Sequence, residues 1–330
     1  MVDAGGGDEH GVYTLTDYLA MLSDQRRVSA YSAAIQALVK PGDRVIEIGS
    51  GFGYFSILAV RAGAALVDAI DINPVVHLGP RVAASNGCSD RIRFHHTDIV
   101  HFEPEQRANV LVGDLRGPTP FAHRSLEILI DARRRMLRPG GTIIGRRDVL
   151  YCAPAREPAS FQRRVSAPLG DTAAVTLRAV AAVAMTTPFR CTLDPGDLLA
   201  AGQSWGEIDY EAIETPHHRG AALWVLDTDM TMDGVAVWFD AHLGGGYGFS
   251  TMPGGGATTY SHLYLPFTAP LSIPAGGSVA LNIAAHFVGG DYVWAWSARV
   301  CCRDGTESSV ITQNSVAERV LDPAAFGMAL

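Results

Sequence analysis

The stretch VIEIGSGFGYFSILAVRAGA (45–64) carries one carboxylate, Glu47, then glycine at every second position, Gly49, Gly51 and Gly53, then the apolar spacing of a helix. Glycine weakens strands and helices. Three of them in this register imply close approach of main chain to a ligand at a helix N-terminus. The spacing is E-x-G-x-G-x-G, not the G-x-G-x-x-G of dinucleotide sites, which disfavours a nicotinamide dehydrogenase. Asp71 ends the following apolar run, where a carboxylate can accept hydrogen bonds from both ribose hydroxyls. Asp98 ends the next, in HTD, where a carboxylate can face an adenine amino group. A second group stands in VGDLRGPTPFAHRSLEIL: Asp114, Arg116, His123 and Arg124.

These residues need elements that bring strand ends together. RVIEIG, LVDAID, IRFHHTD, ANVLVGD and the end of RPGGTIIG read as strands. YFSILAVRAG, PVVHLGPRVAASNG and RSLEILIDARRRML read as the helices between them. The alternation predicts a Rossmann-like, doubly wound parallel sheet, an α/β fold. Leu19, Leu22, Ala30, Ala33, Ile35 and Leu38 predict one or two helices before it. After about residue 150 glycine and proline increase and helical patterns fade. GVAVWFDAHL, SHLYLPF, SVALNIAAHF and YVWAWSARV predict an antiparallel barrel or sandwich, with Trp294 and Trp296 on one strand face. The expected organisation is a disordered tail (1–11), a Rossmann-like domain with N-terminal helices (12–149) and a β-barrel domain (150–330).

The chain has 330 residues, more than one core usually serves, with 48% hydrophobic and 18% charged residues. A net charge of −8 argues against a nucleic-acid partner held by phosphate contacts. The longest apolar stretch, AAVTLRAVAAVAM, is broken by Arg178, so no membrane span is expected, and the N-terminus lacks signal-peptide character. Five cysteines without a C-x-x-C pair fit free thiols and a cytoplasmic protein. His95, His96, Asp98 and His101 suggest metal ligands. Strand alternation sends the first two to opposite faces, so no metal is expected.

The glycine turn, Asp71, Asp98 and LRPGGTIIG (137–145) together resemble the class I S-adenosylmethionine-dependent methyltransferases. The resemblance implies S-adenosylmethionine as cofactor, converted to S-adenosylhomocysteine, a ligand with no pyrophosphate to seat. Further stretches resemble the protein arginine methyltransferase family: MLSDQRRVSAYSAAI (21–35), GRRDVLY (145–151), GVAVWFDAHL (234–243), FSTMP (249–253) and TTYSHLYLPF (258–267). The resemblance covers residues from about 12 to 300. It implies that Arg27 pairs with the cofactor carboxylate, that Glu47 is the first-motif acid and Asp71 the ribose ligand, and that Asp24 and Tyr31 lie beside the acceptor. It also implies a homodimer joined through an arm, matched here by a stretch from about Asp171 to Thr187.

The departures from that family bear on the acceptor. Asp114 stands where the first of two acceptor-binding glutamates is expected, and His123 where the second is expected. Tyr18 replaces an N-terminal histidine. Thr258, Thr259 and Tyr260 replace a threonine–histidine–tryptophan trio. A guanidinium is always protonated and needs compensating charge when buried. One aspartate and an imidazole supply less of it than two glutamates, and Arg116 and Arg124 in the same loop would repel a cation. The expectation is therefore methyl transfer to an oxygen or nitrogen of a small metabolite, biosynthetic intermediate or peptide, with oxygen favoured. Asp114, His123 and Asp24 are the expected catalytic residues, His123 serving as base where one is needed. Tyr18, Tyr31, Arg116 and Tyr260 are expected to bind the acceptor. The alternatives are arginine N-methylation, of a protein or of free arginine, and a non-catalytic S-adenosylmethionine-binding protein.

Overall fold

A computed structural model describes residues 13–169, 175–256 and 258–316. The expected tail, and Asp171 within the expected arm, lie outside the described residues.

Two helices open the described chain. Helix α1 (Leu15–Ser23) is held by a reciprocal cap between Thr14 and Asp17. Helix α2 (Gln25–Leu38) starts at once, because Asp24 leaves helical geometry and its side chain accepts from the Arg27 N–H. Five parallel strands follow: β1 (Arg44–Ile48), β2 (Leu66–Asp71), β3 (Ile92–His96), β4 (Ala108–Gly113) and β5 (Leu137–Ile144), in the order β3-β2-β1-β4-β5. Helices α3 (Tyr54–Arg61), α4 (Gly79–Ser85) and α5 (Ser125–Met136) connect them. Valine, isoleucine and alanine fill both faces of β1, β2 and β4, as strands covered on both sides require. After β3 the chain returns to pair β4 with β1, so a crevice opens beyond the carboxyl ends of those two strands.

The remaining strands are antiparallel: β6 (Arg147–Ala155), β7 (Phe189–Cys191), β8 (Gln203–Asp209), β9 (His218–Val225), β10 (Met230–Gly244), β11 (Tyr247–Ser250), β12 (His262–Ile273), β13 (Ser278–Val288), β14 (Asp291–Cys301) and β15 (Glu307–Asn314). One sheet runs β7-β12-β10-β6-β8 with β11 on β10, and the other β15-β14-β13-β9. Trp294 and Trp296 are both buried, and the Trp296 Nε1–H donates to the Pro266 carbonyl at 3.1 Å, joining β14 to β12. Helix α2 packs on β11, with the Tyr31 and Phe249 rings 6.3 Å apart.

Helices interrupt the antiparallel region between β6 and β7, within 159–169 and at Arg178–Ala184. The sequence pattern conceals the second because nothing buries it: the segment has no buried residue and Val180 is 54% exposed. Among the described residues no helix is long and apolar enough to cross a membrane.

Candidate functional site

One side of the crevice is built from the turn after β1, where the sequence places the cofactor. Gly53 caps α3 in the left-handed region (φ 86°), and Gly51 also has positive φ (55°). A Cβ on Gly51 would lie 2.8 Å from the Tyr18 ring, and one on Gly53 would lie 2.6 Å from the Phe94 ring. The bare backbone is therefore required by conformation and by two packed rings, not by a ligand alone. Asp71 Oδ2 accepts from the Gly51 N–H at 2.6 Å and from the Tyr18 hydroxyl at 3.4 Å, while Oδ1 accepts from the Asn73 N–H at 2.8 Å. Burial pushes the Asp71 carboxyl above its ordinary range. Tyr18, expected beside the acceptor, thus stands over the glycine turn and Asp71. Glu47 is buried and accepts from the Ser56 hydroxyl; burial pushes its carboxyl up to about 8. Asp98 caps a turn after β3, accepting from the Val100 N–H at 3.1 Å and from Arg124 Nη1 at 3.3 Å.

Across the crevice, Asp114 at the end of β4 joins residues distant in sequence. Its Oδ2 accepts from Arg27 Nε at 2.5 Å and from the Tyr260 hydroxyl at 2.6 Å; its Oδ1 accepts from Arg116 Nη1 at 3.1 Å. Burial alone would raise this carboxyl, but Arg27 and Arg116 beside it hold it below the usual carboxylate range. Arg27 Nε also donates to Tyr260 at 3.1 Å, and Nη1 reaches the Met21 carbonyl at 3.4 Å. Arg27 Nη2 has no hydrogen-bond partner among the described residues. Arg116 forks onto Asp148 through Nε (2.7 Å) and Nη2 (2.9 Å), and its Nη1 donates to Tyr31 at 2.8 Å. The Tyr210 hydroxyl donates to Asp148 Oδ2 at 2.6 Å, and the Tyr31 hydroxyl to the Gly113 carbonyl at 3.1 Å.

Several expectations change against this geometry. His123 is exposed, sits at φ 46° and makes no hydrogen bond to Asp114, so the two do not converge. Asp24 gives one oxygen to the Arg27 N–H (3.2 Å) and the other to the Thr259 N–H (2.9 Å), fastening α2 to the turn before β12. Tyr31 is fully buried behind Arg116, stacked on Phe55 at 4.9 Å. Tyr260 is buried as well, stacked on Phe249 at 5.5 Å, and reaches the site through its hydroxyl. Arg116 and Arg124 do not leave the loop with unpaired positive charge: Asp148 and Asp114 answer the first, Glu127 and Asp98 the second. The loop therefore carries no unanswered cation of its own. The sequence reading missed Asp148 and Tyr210. The signal for Asp148 was an acid opening the otherwise apolar run DVLYCAPA; Tyr210 carried none.

The family model for ribosomal protein L11 methyltransferase (PrmA) matches residues 32–145. Probable protein arginine N-methyltransferase 6 of Arabidopsis thaliana is 30% identical over 148 residues, 44% of this chain and 34% of that protein. Probable protein arginine N-methyltransferase 6.2 of Oryza sativa subsp. indica is 27% identical over 238 residues, 68% of this chain and 59% of that protein. The chain thus spans about a third to three-fifths of these relatives' own length. Arginine N(omega)-methyltransferase of Streptomyces achromogenes subsp. streptozoticus is 26% identical over 275 residues, 81% of this chain and 75% of that protein. Among solved structures, the Trypanosoma brucei PRMT1 enzyme–prozyme complex with AdoHcy superposes with a TM-score of 0.80 at 16% identity, covering 90% of this chain and 96% of that one. Arabidopsis thaliana protein arginine methyltransferase 10 gives 0.79 at 16% identity, with coverages of 92% and 98%. By sequence and architecture the chain resembles the class I S-adenosylmethionine-dependent methyltransferases, and the protein arginine methyltransferases among them.

Proposed function

We propose that this chain transfers a methyl group from S-adenosylmethionine to a guanidino nitrogen of arginine, free or in a peptide. The observation that carries the reading is Asp114: a buried carboxylate, held ionised, beside Arg27, whose Nη2 has no partner among the described residues. The names of the relatives support it, above all the arginine N(omega)-methyltransferase matched over 81% of this chain. The residues fit the cofactor. Arg27 offers its spare donor to the cofactor carboxylate, Asp71 serves the ribose, and Glu47 lies on β1 just before the glycine turn.

When bound, S-adenosylmethionine supplies an electrophilic methyl on a sulfonium. The chain's part is alignment. Asp114, its carboxyl depressed, is a weak base and a strong hydrogen-bond acceptor, so it orients an acceptor N–H rather than removing its proton. In this reading residues 12–149 hold the cofactor and supply Arg27, Asp114, Arg116 and Asp148 to the acceptor side, residues 150–330 complete that side with Tyr210 and Tyr260, and two copies associate as a homodimer.

One observation favours a second reading, an oxygen acceptor on a small molecule or peptide. Both Asp114 oxygens are already engaged, and no second carboxylate joins it from the position of His123. Labelled S-adenosylmethionine with L-arginine, an arginine-containing peptide and small carboxylic acids separates the readings. Label on the guanidino nitrogen is expected. Label on a carboxylate alone establishes the second reading. Tight S-adenosylhomocysteine binding with no transfer to any of them leaves a binding protein.

A further inference from the structure

We infer that Arg116 sets which acceptors this site admits, acting as a resident guanidinium in the charge pocket an incoming arginine needs; the inference rests on the arginine reading above. A carboxylate offers about four lone-pair positions, and a forked guanidinium grips it through both oxygens. Asp114 Oδ2 is filled by Arg27 Nε and the Tyr260 hydroxyl, and Oδ1 already carries Arg116 Nη1. One position on Oδ1 is left, next to a fixed cation. An acceptor offering a single N–H or O–H fits that position fully, whereas a guanidinium reaches it through one N–H and loses its forked grip.

Arg116 cannot yield easily. Its side chain is 4% exposed. Asp148 holds it by two hydrogen bonds and Tyr31 by a third. The Tyr210 and Phe239 rings lie 5.5 and 5.9 Å from its guanidinium carbon. It cannot shed its proton either. Asp148 in turn is fully buried and has the Tyr210 hydroxyl as its other partner. Two buried carboxylates are thus matched by two buried guanidiniums, Arg27 and Arg116. An arginine acceptor brings a third cation to this set and no anion.

The test removes the resident pair together, so that no buried charge is orphaned. In Arg116→Met with Asp148→Asn, the new amide oxygen still accepts from Tyr210. Three quantities are measured on wild type and variant: the S-adenosylhomocysteine Kd, the L-arginine Kd of the S-adenosylhomocysteine-loaded protein, and KM and kcat for methyl transfer to L-arginine. S-adenosylhomocysteine binding is expected to hold within about twofold, while the arginine Kd and KM fall about tenfold. A purely structural role for Arg116 would not tighten arginine binding. Arg116→Lys, which keeps the charge, is expected to show no gain.

A double variant that binds S-adenosylhomocysteine but arginine no tighter than wild type overturns the inference. If the double variant loses S-adenosylhomocysteine binding, Arg116→Gln is read by the same comparison. Should wild type methylate arginine without the variant improving on it, the arginine reading stands and the role of Arg116 falls. Should wild type ignore arginine while the variant binds it, the role of Arg116 stands and the arginine reading falls.

Discussion

The two walls of the crevice are assembled in opposite ways. The wall assigned to the cofactor in the proposed reading comes from one short span: the turn after β1, with Glu47 below it and Asp71 one strand along, tied to Gly51 at 2.6 Å. The wall assigned to the acceptor in that reading draws Arg27, Asp114, Arg116, Asp148, Tyr210 and Tyr260 from five separate elements and turns into one buried hydrogen-bonded set. The first is local and its partners are mainly backbone N–H groups. The second is long-range, and its partners are charges that answer one another. Loss of a member should therefore spread through the acceptor wall and stay confined in the cofactor wall.

Asp114→Ala tests that contrast most severely. It leaves Arg27 without its carboxylate and Arg116 with Asp148 alone, and breaking a buried ion pair from one side costs roughly 3–5 kcal/mol. Methyl transfer should fall by more than about 100-fold, and the melting temperature by roughly 10 °C. A variant that melts like wild type would show that the two guanidiniums do not depend on Asp114. Asp71→Ala is the matching change on the other wall. It removes acceptors of the Gly51 and Asn73 N–H groups and the expected ribose ligand. Loss of hydrogen bonds to a charged group costs about 2 kcal/mol, so S-adenosylhomocysteine binding should weaken roughly 30-fold. The melting temperature of the free protein should move far less than in Asp114→Ala. If calorimetry finds the affinity unchanged, Asp71 is a turn residue only.

The same contrast explains what could be read in the sequence. The glycine turn, the alternating strands and helices, and Asp71 at a strand end follow from rules acting over a few residues. The structure keeps them, although it gives Gly51 and Gly53 packed rings as neighbours. Arg116 read as a repulsive charge because its answer, Asp148, lies in another sheet, and no periodicity pairs residues 32 positions apart. His123 read as a partner of Asp114 by position in a family pattern. The loop instead turns it outward before α5. Asp24 read as catalytic, yet its oxygens go to two backbone N–H groups, one of them from the distant turn at Thr259.

Glu47 offers a pH test of the cofactor wall. Its carboxyl titrates near 8 in the folded chain, against 4.5 ordinarily, because burial disfavours the charge. Between those values the folded state holds a proton that the unfolded state has released, so stability falls as pH rises from about 4.5 to about 8 and levels above. Glu47→Gln should remove this slope from melting curves taken between pH 5 and 9. If Glu47 faces the cofactor's ammonium group, S-adenosylhomocysteine binding at pH 7 should also release protons. That appears as a dependence of the calorimetric heat on the ionisation enthalpy of the buffer, and a slope identical in Glu47→Gln would contradict the assignment.

The smallest effect is expected at His123, and it sharpens the comparison by what it leaves untouched. The residue is exposed, in a loop joining the two walls, with a backbone conformation that favours glycine. His123→Gly relieves that conformation but frees the unfolded chain. The two effects oppose, and stability should change by no more than about 0.5 kcal/mol. Transfer should stay within about twofold of wild type. The decisive readout is the pH–rate profile. A histidine acting as base contributes a limb to that profile, and removing it would erase the limb. An unchanged profile places proton handling elsewhere, with the acceptor itself or with solvent. A lost limb would bring His123 back to the acceptor wall and imply that the loop closes when both substrates are bound.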